Sequence, residues 1–456
     1  MKKINYTPAA LLRALAAFLL LLLLHNQAVA QIPQDVTAKL DAYLSAHQAQ
    51  GTFSGTVAIT QHGKTVYSKG FGMADYEATI ANGPDIKYRI GSVTKSFTAI
   101  LIMQLQEQGK LNVHDKLSKY LPDFPNSDKI TLQHLLTHTS GLPDYVMLWK
   151  DVNTKPATNQ QIIEFFKDYA LEFEPGTKWK YNSTGYILLG RVIEVVTKKP
   201  YDKVLARQIL KPLKMQTAGL EFSAPVAGLA KGYNNDGLER KAARYIDMSW
   251  CHAAGAMYAT PADLAKLDAA LQTNKLLNEA SKKEMFTPVM KNYAYGWVVD
   301  SVHQTQRISH SGAINGFKAN LIRLPAHNIS ITIMSNYESQ QINGPISSDI
   351  TAIVMGAPYE VPVARKMVQL SAEQLGAYVG EYQVGPKMIF KVTLEDNLLY
   401  VGAAGQESFA IFPEAEDKFF VKVAPAQVTF EKDADGKITK MLMHHKGKVM
   451  PAARLN

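Results

Sequence analysis

The chain has 456 residues and the composition of an ordinary folded protein, with 46% hydrophobic and 20% charged residues. Its formal net charge is +9, but the basic residues are scattered and not interleaved with aromatic ones, which argues against nucleic-acid binding. The one cysteine, Cys251, excludes an intrachain disulfide, and its setting in "MSWCHAAGAMYA" favours a packed side chain over a thiol nucleophile.

The first residues differ from the rest of the chain. Lys2, Lys3 and Arg13 accompany an apolar run at 14–24, and "AVA" at 28–30 has the small residues of a cleavage site, as in a secretory signal removed before Gln31. The alternative is a membrane anchor, but the run is shorter than the roughly 20 residues that a spanning helix needs. We therefore expect an exported protein, periplasmic or extracellular, with no stable membrane span after cleavage. Because the leader holds three basic residues and no acidic one, the remaining chain has a net charge of +6.

Residues 55–72, "GTVAITQHGKTVYSKGFG", predict a β-hairpin. Val57 and Ile59 alternate with polar or small neighbours, and His62-Gly63 fits the turn between two strands. The first strands of the fold are therefore expected soon after the leader.

The segment 88–109, "YRIGSVTKSFTAILIMQLQEQG", places a serine and a lysine three residues apart before an apolar run. The residues after Lys95 leave almost no polar face, which predicts a helix buried on all sides. Residues three apart lie on one helix face, so Lys95 would lie directly beside Ser92. The lysine could then take a proton from the serine hydroxyl. The alternative interpretation is structural, with Ser92 as a helix N-cap.

Residues 110–290 predict a mainly helical segment interrupted by turns. Thr158 with Gln161, and Thr260 with Asp263, have the spacing of capping boxes, and Pro261 suits a first helical position. These signals mark the starts of two helices.

Two histidines in this segment, His134 and His138, have the i, i+4 spacing of a zinc-binding helix. The glutamate that a zinc protease carries after the first histidine is Leu135 here, and no third ligand is evident. We therefore expect no metal and no other cofactor.

From residue 293 the hydrophobic period becomes that of strands. "YAYGWVVD", "QRISHSG", "FKANLIRLP" and "NISITIMSN" are separated by short turns and predict an antiparallel meander. Strands at both ends and helices between them favour an α+β fold, with one antiparallel sheet flanked by helices and a helical insert.

The chain becomes irregular at 356–370, where Gly356, Pro358 and Pro362 occur, and its pattern changes after Ser371. Runs such as "MIFKVTLEDNLLYVGA" and "AQVTFEKDADGKITKMLMHH" are short alternating strands with polar turns. We predict a signal at 1–30, an α+β unit at 31–360, and a separate all-β domain at 371–456 that is a small barrel or sandwich.

Three further stretches bear on Ser92: "ITLQHLLTHTSGLPDY" at 130–145, "EPGTKWKYNSTGYILLGRVIE" at 174–194 and "RISHSGAINGF" at 307–317. With "SVTK" at 92–95, they resemble the penicillin-recognising serine hydrolases, which include class C β-lactamases, D-Ala-D-Ala carboxypeptidases, D-aminopeptidases and esterases. That family uses S-x-x-K, Y-x-N and K-T-G or H-x-G, and this chain has S-V-T-K, Y-N-S and H-S-G in the same order. The resemblance covers about residues 36–355 and implies a β-lactamase-like fold. The segment from 371 resembles the small β domain appended to many of these hydrolases.

The resemblance implies a role for each matching residue. Ser92 would attack a substrate carbonyl and form an acyl-enzyme, and Lys95 and Tyr181 would handle its proton, with the choice of base left open. The alternative for Tyr181 is a packed aromatic ring. The implied oxyanion and substrate-binding set comprises the N–H groups of Ser92 and Ala313, together with Asn182, Ser183, His310, Ser311 and Gly312.

Two matching positions depart from the family pattern. The family's asparagine, two residues after the tyrosine, is Ser183 here, with Asn182 just before it. Since a hydroxyl makes fewer hydrogen bonds than an amide, we expect weaker recognition of a substrate amide and weak β-lactamase activity. His310 replaces the family's lysine, and a mostly neutral histidine should attract a substrate carboxylate less. The alternative for His310 is a hydrogen-bonded strand residue.

The sequence therefore predicts an exported, metal-independent serine hydrolase that cleaves an amide or ester through an acyl-enzyme on Ser92. The substrate would be a D-amino-acid peptide, as in the cell wall, or a small ester. The alternative is a catalytically weak penicillin-binding-type protein that binds wall peptides or a partner without turnover. The intact Ser92, Lys95 and Tyr181 argue against this alternative, whereas Ser183 favours it. Asp144 would lie near the site by resemblance, without an assigned role.

Overall fold

The computed structural model describes residues 32–148, 154–222, 225–235, 240–339, 341–362, 365–385, 388–403, 408–422, 426–445 and 448–455. The predicted signal at 1–30 lies outside the described residues. Within the described ranges, no helix combines the length and the apolar character needed to cross a membrane.

The first unit of the chain is an α+β structure with thirteen strands among the described residues. They are β1 (Gly55–Gln61), β2 (Lys64–Phe71), β3 (Met73–Asp75), β4 (Ile80–Ala81), β5 (Tyr88–Arg89), β6 (Gly219–Leu220), β7 (Tyr233–Asn235), β8 (Arg240–Ala242), β9 (Met257–Ala259), β10 (Val298–Val302), β11 (Thr305–Ile314), β12 (Phe317–Leu324) and β13 (Ile329–Ser335). Six of them form the main antiparallel sheet, in the order β10-β11-β12-β13-β1-β2.

Both ends of the unit contribute to this sheet, as predicted. β1 pairs with β13, and Gly55 lies opposite Ser335. The predicted hairpin joins β1 to β2, with His62 and Gly63 in the turn at φ values of +49° and +72°. Positive φ at both central residues matches the twist of the flanking strands. The predicted meander is confirmed as β10 to β13.

One boundary of the meander differs from the prediction. The pattern "YAYGWVVD" suggested a strand from 293, but β10 begins at Val298. Gly296, with φ of +74°, turns the chain towards the buried helix, and a Cβ there would lie 2.9 Å from Lys95 O. Ser96 Oγ donates a hydrogen bond to Gly296 O at 2.8 Å, so the turn is fixed by packing that local periodicity does not report.

The helices of the first unit pack on both faces of the sheet. The helix Thr94–Glu107 is buried at nearly every position up to Leu105, which confirms the prediction of a helix apolar all round. The α-helices of the unit are Val36–Ala49, Thr94–Glu107, Leu132–Leu136, Asn159–Phe166, Thr184–Thr197, Tyr201–Leu205, His252–Gly255, Pro261–Leu271, Glu279–Met285 and Ser347–Met355.

The middle of the chain contains more irregular structure than predicted. Its helices are short, and segments of loop, 3-10 turn and small sheet separate them. Thr158 and Gln161 form the predicted capping box. Thr260 accepts from Asp263 N–H with Pro261 at the first turn, but the Asp263 carboxylate bonds Thr217 and Lys266, so the second half of the predicted box is not formed.

The second unit is a closed barrel of eight antiparallel strands, so the alternatives of barrel and sandwich resolve to a barrel. The strands are β14 (Gly380–Val384), β15 (Met388–Glu395), β16 (Leu398–Ala403), β17 (Phe409–Ala415), β18 (Lys418–Phe420), β19 (Ala426–Lys432), β20 (Ile438–His445) and β21 (Lys448–Leu455). Pairing of β14 with β21 closes it, and the short helix Ala372–Gly376 precedes it. Tyr378, Tyr382, Phe419 and Phe430 are mutually packed aromatic rings of its core.

Buried histidines make the stability of this fold depend on pH, and His47 is one of them. His47 lies in the helix Val36–Ala49, with Nδ1 2.8 Å from Thr52 Oγ1, and burial lowers its pKa to about 4. An imidazole in an unfolded chain titrates near pH 6.5. Between pH 6.5 and 4 the unfolded state therefore binds a proton that the folded state does not, and stability falls as the pH falls.

Between pH 7.5 and pH 5 the free energy of unfolding should fall in the wild type and in His47→Gln. We expect the fall to be about 1–2 kcal/mol smaller in His47→Gln. Urea unfolding at a series of pH values measures this difference. The exposed His114 offers a matched control, since His114→Gln should keep the wild-type slope. Equal pH dependence in the wild type and His47→Gln would contradict the prediction.

Candidate active site

Ser92 lies in a 3-10 turn, Gly91–Val93, that leads directly into the helix Thr94–Glu107. Neither the turn nor the helix has a side-chain N-cap, so the alternative interpretation of Ser92 as a cap is wrong. The serine is instead at the start of the buried helix with its side chain half-buried.

Strand β11 lies directly against this turn. A Cβ built on Gly312 would lie 1.9 Å from Ile90 O and 3.0 Å from Ser92 N, and one on Gly91 would lie 2.8 Å from Ala313 N. Two backbones approach this closely only where side chains are absent. The approach brings the backbone nitrogen of Ser92 next to Gly312 and that of Ala313 next to Gly91.

Lys95 is fully buried one turn along the helix from Ser92. Its Nζ lies 3.0 Å from Ser92 Oγ, 3.4 Å from Ser183 Oγ and 2.9 Å from Ala254 O. All three partners are uncharged oxygen atoms. The spacing of three residues therefore gives the contact between Ser92 and Lys95 that the sequence predicts.

Tyr181 lies over the same amine. The centroid of its ring is 5.1 Å from Lys95 Nζ. The ring centroids of His138, Tyr293 and His310 lie 4.2, 6.2 and 6.5 Å from the centroid of the Tyr181 ring. The structure thus brings Ser92, Lys95 and Tyr181 together. Tyr181 is half-buried, so it borders the open side of the site.

The two residues after Tyr181 face different ways. Ser183 Oγ contacts Lys95, while its N–H donates to Asp144 Oδ1 at 3.1 Å. Asn182 is buried, its Oδ1 accepts from Gly185 N–H at 2.9 Å, and its Nδ2 donates to Lys180 O at 3.2 Å. One end of the amide thus bonds the first turn of the next helix and the other bonds the backbone just before Tyr181. The contact of Asn182 with substrate stays a prediction.

His310 is buried on β11, and both of its ring nitrogens have partners. Nδ1 lies 2.7 Å from Ser311 O and therefore carries the proton, and Nε2 accepts from Tyr293 O–H at 2.8 Å. Burial, followed by the charge of Lys95, lowers the pKa of His310 to about 3. The imidazole is thus neutral and offers no charge to a ligand, whereas Ser311 and Ala313 on the same strand are exposed.

The other reactive side chains considered from sequence lie in structural settings. Burial raises the pKa of the Cys251 thiol to about 12, which leaves it protonated and packed in an apolar cluster. His134 takes part in a capping box with Thr131 at the start of the helix Leu132–Leu136. His138 follows the end of that helix with φ of +61°, so the two histidines do not share a helix face.

Three groups around the site had no assigned role in the sequence analysis. Tyr293 holds His310, the carbonyl of Ala254 accepts from Lys95, and Asp144 holds the backbone of Ser183. Asp144 was expected near the site by resemblance, and the structure adds its contact with the Ser183 backbone. No local pattern marks Tyr293 or Ala254, because both come from segments distant in sequence.

The sequence is similar to those of known proteins along most of its length. A family profile described as Beta-lactamase matches residues 38–343, and a domain of unknown function, DUF3471, matches residues 364–453. Penicillin-binding protein 4* of Bacillus subtilis (strain 168) is 31% identical over 412 residues, 84% of this chain and 91% of that protein. Teichoic acid D-alanine hydrolase of Staphylococcus aureus is 35% identical over 272 residues, 57% of this chain and 64% of that protein.

Two solved structures are similar to this one. The octameric penicillin-binding protein homologue from Pyrococcus abyssi has a TM-score of 0.63 and 24% identity, over 91% of this chain and 99% of that one. The D-amino acid amidase from Ochrobactrum anthropi SV3, complexed with D-phenylalanine, has a TM-score of 0.64 and 25% identity, over 71% of this chain and 99% of that one.

Proposed function

Because the chain belongs to the beta-lactamase and penicillin-binding-protein family of serine hydrolases, we propose that it cleaves an amide or ester of a D-amino acid through an acyl-enzyme on Ser92. The observation that carries the proposal is the 3.0 Å contact between Ser92 Oγ and the buried Lys95 Nζ. A hydroxyl becomes a nucleophile when a positioned base takes its proton, and this amine is within reach.

Each step of the reaction uses a group at the site. Ser92 Oγ attacks the carbonyl carbon as its proton passes to Lys95, and the oxyanion accepts from the N–H groups of Ser92 and Ala313. Tyr181, over the same amine, passes the proton to the leaving amine or alcohol as the C–N or C–O bond breaks. Water then attacks the acyl-enzyme, and Lys95 and Tyr181 take its proton. The bond between the acyl carbon and Ser92 Oγ breaks, and Ser92 Oγ receives the proton from these two residues.

His310 supports the choice of substrate class. A peptide that ends in a free carboxylate needs a cation or several donors in its binding site. The position that carries lysine in relatives with K-T-G holds a neutral imidazole here, with both nitrogens already bonded. The site therefore suits amides and esters without a terminal carboxylate. Similarity to a protein named D-amino acid amidase and to one named teichoic acid D-alanine hydrolase supports the same class.

A substrate panel tests this choice. We expect kcat/KM for an N-acyl-D-Ala-D-Ala peptide with an amidated C-terminus to exceed that for the same peptide with a free carboxylate by about tenfold or more, the worth of one lost charged hydrogen bond. The L-enantiomers are the controls for stereochemistry. Faster cleavage of the carboxylate-ending peptide would contradict the substrate class while leaving the role of Ser92 intact.

A second candidate function is binding without turnover, as in a weak penicillin-binding-type protein that holds wall peptides or a partner. Ser183 favours it, since this hydroxyl is only 3.4 Å from Lys95 and replaces an amide that would orient substrate. Titration with a fluorescent wall peptide distinguishes the two candidates. Saturable binding with no product after prolonged incubation would favour the binding protein.

We also propose that the protein is exported and acts in the periplasm or outside the cell. The basic, apolar and small-residue pattern of residues 1–30 supports this proposal. N-terminal sequencing of the protein from the periplasm or medium should begin at Gln31. A cytoplasmic chain that retains Met1 would contradict it.

A further inference from the structure

The stretch "THTSG" at 137–141 supports the segment that carries Tyr181. Three backbone hydrogen bonds join the two: Lys180 N–H to His138 O (3.0 Å), Gly176 N–H to Thr139 O (2.8 Å) and Glu172 N–H to Gly141 O (2.8 Å). Gly141 is required for this approach, because a Cβ there would lie 1.9 Å from Phe173 O. The position of Tyr181 therefore depends on residues 137–141, which we call the platform, as well as on its own segment.

Within the platform, His138 contacts the tyrosine segment at three points. Its carbonyl accepts from Lys180 N–H just before Tyr181, and its Nδ1 accepts from Asn182 N–H, at 3.4 Å, just after it. Its ring centroid lies 4.2 Å from that of Tyr181. His138 therefore bonds the backbone on both sides of Tyr181 and packs against its ring.

The backbone of His138 makes this arrangement possible. Its φ of +61° is in the left-handed region, which asparagine and histidine adopt more readily than most residues with side chains. In this conformation the carbonyl and the side chain both reach the neighbouring segment. The left-handed residue is therefore part of the contact with Tyr181 and not only the end of a helix.

The chemistry of the imidazole argues against simple aromatic packing. Since Nδ1 accepts a hydrogen bond, Nε2 carries the proton, and in the described part of the chain this buried Nε2 has no acceptor. A buried donor without an acceptor costs about 1–3 kcal/mol. A phenylalanine would pack without that cost, so the acceptor at Nδ1 is the property that distinguishes histidine here.

The ring is also uncharged. Burial, followed by the charge of the neighbouring Lys95, lowers the pKa of His138 well below its usual value. Nδ1 therefore keeps the lone pair that accepts the hydrogen bond from Asn182 N–H at any pH at which Lys95 is proposed to act as a base. A neutral acceptor also adds no positive charge beside that amine.

We propose that His138 is a positioning residue for Tyr181, which it holds over Lys95 and Ser92 by accepting the N–H of Asn182 and packing against the tyrosine ring. It does not touch the reacting atoms. The inference rests on the proposed function, because it assigns His138 to the proton transfer that Tyr181 performs there.

Two substitutions separate the acceptor from the ring. His138→Phe keeps an aromatic ring and loses the acceptor, whereas His138→Asn keeps an acceptor and tolerates the left-handed backbone. We expect Phe to slow the reaction of Ser92 with a fluorophosphonate about tenfold or more, and to lower kcat on an ester with KM within twofold. Asn should remain within about threefold of the wild type, since the lost hydrogen bond is restored.

The controls make the outcome specific. His134→Gln, three residues before that stretch, preserves the capping box and should label at the wild-type rate. A wild-type protein that does not label would contradict the proposed function itself. Labelling of His138→Phe at the wild-type rate, or equal slowing by Asn and Phe, would overturn the role of His138 alone.

A measurement on the unmodified protein covers the case in which His138→Phe does not fold. Long-range ¹H–¹⁵N spectra of histidine-labelled protein report the tautomer of each ring, with His138→Asn used to assign the signal. We expect His138 as the neutral form protonated at Nε2 from pH 7.5 to 5.5. A proton on Nδ1, or a charged ring at pH 6, would overturn the proposal.

Discussion

Lys95→Met is expected to lower kcat/KM by about 10³- to 10⁴-fold, or about 4–5.5 kcal/mol of transition-state stabilisation. Methionine has a similar length and packs well in a core, so it removes the amine without leaving a large cavity. Nζ is the base that lies 3.0 Å from Ser92 Oγ, and the methionine side chain has no basic atom to replace it. Both the labelling of Ser92 by a fluorophosphonate and ester hydrolysis should show the loss.

The same substitution should leave the melting temperature unchanged or raise it. Lys95 is fully buried, and its partners in the described chain are uncharged oxygens that only partly compensate for lost hydration. Lys203→Met, at an exposed lysine, is the matched control and should affect neither quantity. Retention of more than a tenth of the wild-type activity in Lys95→Met would remove this residue from the mechanism.

Gly312→Ala is expected to reduce activity at least about 100-fold and to destabilise the protein by about 1–3 kcal/mol. The added Cβ would lie 1.9 Å from Ile90 O, so β11 must move away from the turn that carries Ser92. This movement separates the N–H groups of Ser92 and Ala313 that are proposed to hold the oxyanion. Hydrolysis rates and urea unfolding of the same variant measure the two effects.

A second glycine provides the control for this substitution. A Cβ on Gly83 has no atom within 4 Å, so Gly83→Ala should keep both activity and stability close to the wild-type values. If Gly312→Ala lost stability but kept wild-type activity, the proposed position of the oxyanion hole would be wrong.

The fold could be predicted from sequence to the extent that local patterns specify it. Alternation at both ends of the first unit predicted one antiparallel sheet, and the pairing of Gly55 with Ser335 confirms it. Closure of the second domain into a barrel could not be predicted, because it depends on β14 meeting β21 at the far end of the domain. The short helices of the middle segment are fixed by tertiary contacts that periodicity does not report.

The candidate site shows the same division. The contact of Ser92 with Lys95 follows from a spacing of three residues on one helix, so the sequence was sufficient for it. Asn182 and Ser183 are adjacent at a helix start and face opposite ways, which sequence alone does not reveal. Tyr293 joins the site through its hydrogen bond to His310 and its ring contacts with His138 and Tyr181, residues that are distant from it in sequence or in another element.

The most direct test of the proposed mechanism is the intact mass of the wild-type protein, and of Ser92→Ala, after exposure to a fluorophosphonate. We predict one adduct on the wild type and none on Ser92→Ala, as expected for a single activated serine. No adduct on the wild type would show that Lys95 does not activate Ser92 and would favour the binding protein. An equal adduct on both would place the reactive group elsewhere and contradict the proposed mechanism.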